Sequence, residues 1–218
     1  MEKQTASTKG LLACGTIAGP LFVAVFLLEG ATRANYDPLR HPVSSLELGP
    51  HGWTQSANFV FAGILLLAFA FGLRRAFGPP EGSAWGPILV GVWAVGLIGA
   101  GVFTTDPISG YPPGTPDVAP YTWHGALHDL AFSLPGFAAL VAACLVFGRR
   151  FAARGERGWA NYSAASGVAF VAALVLANVG FGQAEGFVDL AGLFQRVMVV
   201  VGFGWLALLA VRLLKGES

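Results

Sequence analysis

Charge is what this chain has least of. Asp, Glu, Lys and Arg make up 11% of its 218 residues, where a soluble domain carries about 25%. The 13 basic and 12 acidic side chains nearly cancel, to a formal charge of +1, so no basic stripe is present to hold nucleic acid. Cysteine is almost as scarce. Cys14 and Cys144 fall in separate apolar runs, which excludes a disulfide framework or thiolate cluster and leaves both as small core residues. A CxxC pair, a nucleotide-binding glycine loop and a GxSxG nucleophile elbow are all missing.

What the chain has is long apolar sequence, 55% of all residues. A membrane span needs roughly 20 apolar residues, and six runs meet this, at about 11–29, 55–73, 85–103, 126–148, 161–180 and 190–214. Runs of that length are too long for barrel strands, and lipid leaves only helices as the alternative. The expected fold is therefore all-α, one integral membrane bundle of six transmembrane helices over residues 1–218. Glycine and alanine within the runs, as in GVWAVGLIGAGVF at 91–103, suit close helix packing in lipid.

The basic residues sort by side. Lys3, Lys9, Arg74, Arg75, Arg149, Arg150, Arg154, Arg157, Arg212 and Lys215 share one face, and only Arg33, Arg40 and Arg196 lie at the other. The positive-inside rule then puts both termini in the cytoplasm of a multi-pass cell-membrane protein. The long connections 30–54 and 104–125 fall outside, and with them all four histidines, His41, His51, His124 and His128.

Two of these histidines form HGALHD at 124–129. Residues four apart share a helix face, so His124 and His128 project together, a spacing suited to two ligands of one metal ion. It suits equally a pair that caps the helix mouth and bonds the loop. Asp129 is placed as a third ligand, an orienter of the imidazole or a general base. Asp106, in Thr-Thr-Asp-Pro, is either a turn opener or a carboxylate facing the pair. Pro135-Gly136 should kink the helix just below.

The segment YDPLRHPVSSLELGPHG at 36–52 is a second concentration of polar groups. His41, in a His-Pro step that holds it extended, is the candidate third metal ligand; His51 is expected in interfacial hydrogen bonding. Ser44 and Ser45 are candidate catalytic hydroxyls or, more simply, N-caps of a short interfacial helix with Glu47 as partner. Glu29, Asn58, Gln195, Arg40 and Arg196 complete the polar set as candidate substrate contacts. An arginine inside a span is costly and normally pairs with an acid; Glu29, Asp106, Glu185 and Asp189 are within reach of that role for Arg196.

The order YDPLRHPVSSLELGPHGWTQ before a span, followed by TTDP and HGALHD, resembles the prokaryotic membrane family catalogued as domain of unknown function 998, over about residues 15–210. That resemblance implies six spans and brings no activity. The site composition is also similar to that of the alkaline ceramidase and progestin-adiponectin receptor superfamily, whose seven-span members hold zinc with three histidines beside a serine and an aspartate. By that similarity His41, His124 and His128 would hold zinc, with Ser44 or Ser45 as the serine and Asp106 as the aspartate. The resulting expectation is a metal-dependent hydrolase of a lipid or amphiphile, with Asp129 or Asp106 as base on a metal-bound water. Two alternatives stay open: a non-enzymatic binder or transporter of a lipid or small molecule, and a haem or quinone redox protein. Membrane lipids are the expected partners.

Overall fold

The computed structural model describes residues 5–77 and 84–216. Lys3 and part of the basic connection after Arg75 lie outside these. Six helices long and apolar enough to cross a membrane account for most of the chain. They are α1 (Ala6–Thr32), α2 (Gly52–Ala76), α3 (Trp85–Val102), α4 (Trp123–Ala153), α5 (Arg157–Phe181) and α6 (Ala191–Leu214). Among the described residues there is no strand, only isolated bridges of Ile108 with Tyr111 and Val118.

Each helix packs on its neighbours in sequence, and α6 returns to α1, so the six close into a ring. Small residues make the closure possible. A Cβ built on Gly19 of α1 would stand 2.8 Å from Cβ of Phe203 on α6, a distance that only a glycine avoids.

The helices differ in length, and one difference shapes everything at the loop end. At 1.5 Å per residue, the 18 residues of α3 span only about 27 Å, while its partner α4 runs for 31 residues. The chain leaving α3 therefore turns inside the bundle, and Thr105 and Asp106 are buried. The last carbonyls of α3 have no intrahelical donors and need side-chain partners.

Proline 135 adds a second irregularity. It carries no N–H and cannot continue the α-helical ladder, and the helix widens immediately before it into a π-helical stretch, Leu127–Ser133, where Leu134 N donates to Asp129 O. Such widening is a common feature near functional sites.

Candidate functional site

The two ends of the ring are packed differently. Toward the termini the interior is filled by Phe69, Phe147, Phe151 and Trp205, all buried. Toward the long loops lies a cavity of about 330 Å³ lined from all six helices. Its wall is mainly apolar, with Phe22, Trp93 and Met198 among its lining residues. Ser44, Thr105, His128, Asp129, Asn178 and Gln195 form a polar margin. Leu130 and Leu134 of α4 line it while being 54% and 53% exposed, so it opens beside them, where Leu174 and Phe181 of α5 complete the wall.

The histidine pair answers the short α3. His128 Nδ1 lies 2.9 Å from the Ala100 carbonyl and 2.7 Å from that of Phe103, and His124 Nδ1 lies 3.0 Å from the Thr104 carbonyl. Carbonyls only accept, so in this network both Nδ1 atoms donate. The HxxxH spacing brings the imidazoles to one side, as expected, and there they satisfy the carbonyl end of α3.

Behind His128 stands a residue that the sequence reading passed over as a helix-capping partner. The Glu47 side chain is fully buried and its Oε2 lies 3.4 Å from His128 Nδ1. Ser56 Oγ donates to Glu47 Oε1 at 3.2 Å and Thr105 N to Oε2 at 3.3 Å. Burial dominates and pushes the Glu47 carboxyl up to about 8, with Asp129 adding to the rise. A protonated Glu47 makes the contact with His128 a polar one rather than an ion pair. The signal for Glu47 was faint: one acid among the apolar residues of VSSLEL.

The short helix that carries Glu47 also differs from expectation. It is a 3₁₀ helix, Val43–Glu47, with Pro42 at its N-cap and no side-chain cap. Ser44 and Ser45 sit inside it, both buried, because the proline sets the starting dihedral and the segment is drawn into the bundle. Ser44 lines the cavity; Ser45 Oγ is buried without a partner. Val43 N donates to Gln195 Oε1 at 2.7 Å, which ties the segment to α6.

Asp106 is an architectural carboxylate. Its Oδ2 accepts from Thr122 N at 2.8 Å and its Oδ1 from Thr122 Oγ1 at 2.6 Å. Thr122 is in turn the N-cap of α4, accepting from Gly125 N, where a negative charge suits the helix dipole. Gly125 has to be glycine: a Cβ there would lie 1.9 Å from Asp106 Oδ2. Asp129 is different. It is half-buried, lines the cavity, and has no hydrogen bond or ion pair among the described residues.

The arginines do not take acids in the expected way. Arg196 is buried and donates to Tyr36 Oη at 2.5 Å, the His41 carbonyl at 3.1 Å and the Gly192 carbonyl at 2.9 Å. Its guanidinium also lies over the Phe26 and Tyr36 rings. Neutral oxygens and ring faces disperse its charge, and three of the acids named for it are engaged elsewhere: Glu29 with Arg33 at 3.2 Å, Asp189 with Arg40 and Asp106 with Thr122; the fourth, Glu185, is exposed. Arg40 is a clasp, joining Asp117 and Asp189 at 3.0 Å each and the Ser109 carbonyl, and so linking the three loops at this end. Asn58 bonds the Phe22 carbonyl and Gln55. Of the expected substrate contacts, only Gln195 lines the cavity.

His41 belongs to another cluster. Asp37 N donates to its Nδ1 at 2.8 Å, and its ring packs against Tyr36 and Tyr111. Burial lowers its pKa, opposed by the Asp37 charge and a backbone hydrogen bond to Ser109. His51 is exposed at the start of α2. Among the described residues no three His, Cys, Asp or Glu side chains form a group that could hold a metal ion.

A family model described as protein of unknown function (DUF998) matches residues 16–212. The chain belongs to the DUF998 family. No curated protein and no solved structure matches the chain.

Proposed function

We propose that this DUF998 protein is a membrane binding protein for an amphiphile, which lies with its tail in the cavity and its polar end at His128 and Asp129. The observation that carries this reading is the cavity itself. Its volume of about 330 Å³ falls within the roughly 300–1,000 Å³ of small-molecule sites, and an apolar wall with a few convergent polar groups is their usual character. The opening beside Leu130 and Leu134 would admit a molecule sideways from the lipid. The positive-inside rule, applied to Lys9, Arg74, Arg75, Arg149, Arg150, Arg154, Arg157, Arg212 and Lys215, supports a cytoplasmic terminal end. The cavity then serves the outer leaflet.

A zinc hydrolase is a weaker reading. It needs three protein ligands on one ion, whereas among the described residues no three His, Cys, Asp or Glu side chains come together and His41 packs in a separate cluster with Tyr36 and Tyr111. Residues present in one place fit a ligand's polar end better than a metal.

Photolabelling of the purified full-length chain in lipid nanodiscs tests the proposal. A diazirine-bearing long-chain alcohol should label peptides carrying Leu130–Phe137 and Leu174–Phe181, and Ala177→Phe, which fills the cavity, should suppress that labelling. Labelling confined to the outer surfaces of the helices, unchanged by Ala177→Phe, overturns it. Quinones belong to the same amphiphile class and would appear as ultraviolet absorbance in a solvent extract of the protein.

A further inference from the structure

The polar margin of the cavity is one-sided in its chemistry. No Lys or Arg is among the described residues lining it, while Asp106 and Asp129 are. Both oxygens of Asp106 are taken by Thr122. The carboxylate of Asp129 is not taken by any described residue. His128 is 2% exposed, and its Nδ1 is committed to carbonyls. Its Nε2 then remains, without a hydrogen bond among the described residues; in the neutral ring it is an acceptor. The Gln195 oxygen is already used by Val43 N. Trp93, also in the lining, keeps its Nε1 buried without a partner, so neutral donors are present too, but the one charge left over among the described lining residues is the Asp129 carboxylate, with Nε2 of His128 beside it in sequence.

A carboxylate in an apolar wall is costly to leave unpaired, and in a span it marks a functional site with a partner to be named. The three arginines near this end cannot supply that partner, since Arg33 is held by Glu29, Arg40 by Asp117 and Asp189 and Arg196 by Tyr36 and two carbonyls.

We infer that the amphiphile's polar end is a primary ammonium, received by Asp129 and by Nε2 of His128, and that phosphate and carboxylate ends are excluded. The ammonium carries three donors, no acceptor and a positive charge, which matches the Asp129 carboxylate and Nε2 of His128. An anionic end would set like charge against Asp129 and would meet no cation. This inference rests on the amphiphile reading of the cavity and narrows it to one class of ligand.

Competition against the diazirine alcohol in nanodiscs of zwitterionic lipid tests it with four probes: dodecylammonium, dodecanol, dodecyl phosphate and butylammonium. Dodecylammonium is expected to halve the cavity labelling at a concentration at least about tenfold below that of dodecyl phosphate, equivalent to about 1.4 kcal/mol, with dodecanol between them. Asp129→Asn should bring the amine and phosphate concentrations together. Phosphate competing as well as the amine in the wild-type chain overturns the inference while leaving the cavity a binding site. An amine preference that persists in Asp129→Asn overturns the role of Asp129. Butylammonium matching dodecylammonium overturns an amphiphile in favour of a soluble amine. If the alcohol labels nothing in the cavity, the amphiphile reading fails first.

Discussion

The terminal end and the loop end of the ring are built from the same helices and packed in opposite ways. At the terminal end Trp205 is fully buried, its Nε1 donating to Ser163 Oγ at 3.1 Å. Phe147 lies 5.8 Å from its ring and 5.7 Å from that of Phe77, and Arg150 sits over Phe77. Arg212 covers Phe151 and Trp159 and pairs with Glu156. At the loop end the helices enclose a cavity of about 330 Å³, and polar groups are gathered around it. The contrast shows that the ring geometry does not itself force a void. Aromatics face inward at both ends, but at the loop end Ala100, Gly136 and Ala177 share the lining with them and a cavity remains.

The largest effect is expected from breaking the solid end. Trp205→Ala should cost about 3–5 kcal/mol, the range for removing a buried large aromatic, as a lowered midpoint of unfolding in detergent. It also strands the Ser163 hydroxyl.

Next comes the proton held at the hollow end. Glu47 takes up its proton near pH 8 when folded and near 4.5 when exposed. The folded state therefore binds a proton that the unfolded state has released across that window. Stability is full below pH 4.5 and falls as pH rises toward 8, by an amount on the order of a few kcal/mol. Thermal midpoints measured from pH 5 to 8 should decline in the wild-type chain and flatten in Glu47→Gln. Equal slopes in the two proteins would mean that Glu47 is ionised in the folded state.

A matched pair of insertions compares the two ends directly. Ala210 is fully buried at the solid end, and Ala210→Leu should cost about 1–3 kcal/mol through overpacking. Ala177→Leu adds the same atoms beside the cavity and should cost under about 1 kcal/mol. Equal costs would show that the loop end closes up in the membrane.

The smallest effect belongs to the loop clasp. Arg40→Ala removes two partly exposed ion pairs, each worth about 0.2–1 kcal/mol. The loss should shrink at high salt because such pairs are screened. Proteolysis of the loops, read by mass spectrometry, should rise at low salt only.

Sequence reading located the helices closely. The run expected at 85–103 is α3, Trp85–Val102, and that at 190–214 is α6, Ala191–Leu214. It also singled out His128 and Asp129. It left two uses open for His124 and His128, metal ligation and capping of a helix mouth, and in the structure the two imidazoles bond the carbonyl end of a short helix. The deciding fact, that α3 stops inside the bundle beside a longer α4, depends on relative helix heights and not on the HxxxH spacing. Glu47 was missed because its isolation from water comes from Ser56, Thr105 and His128, none of which is adjacent to it in sequence. Pro135 was expected to kink α4; the structure shows a π-helical stretch before it, a local adjustment that periodicity does not reveal.

Residue order alone determined that this chain enters the membrane and does so six times, because hydropathy is a sum over neighbouring residues. Tertiary structure decided which polar groups are consumed in holding the fold and which are left over beside the cavity. That division follows from hydrogen-bond satisfaction between distant segments, as when Thr122 occupies Asp106 and leaves Asp129 alone.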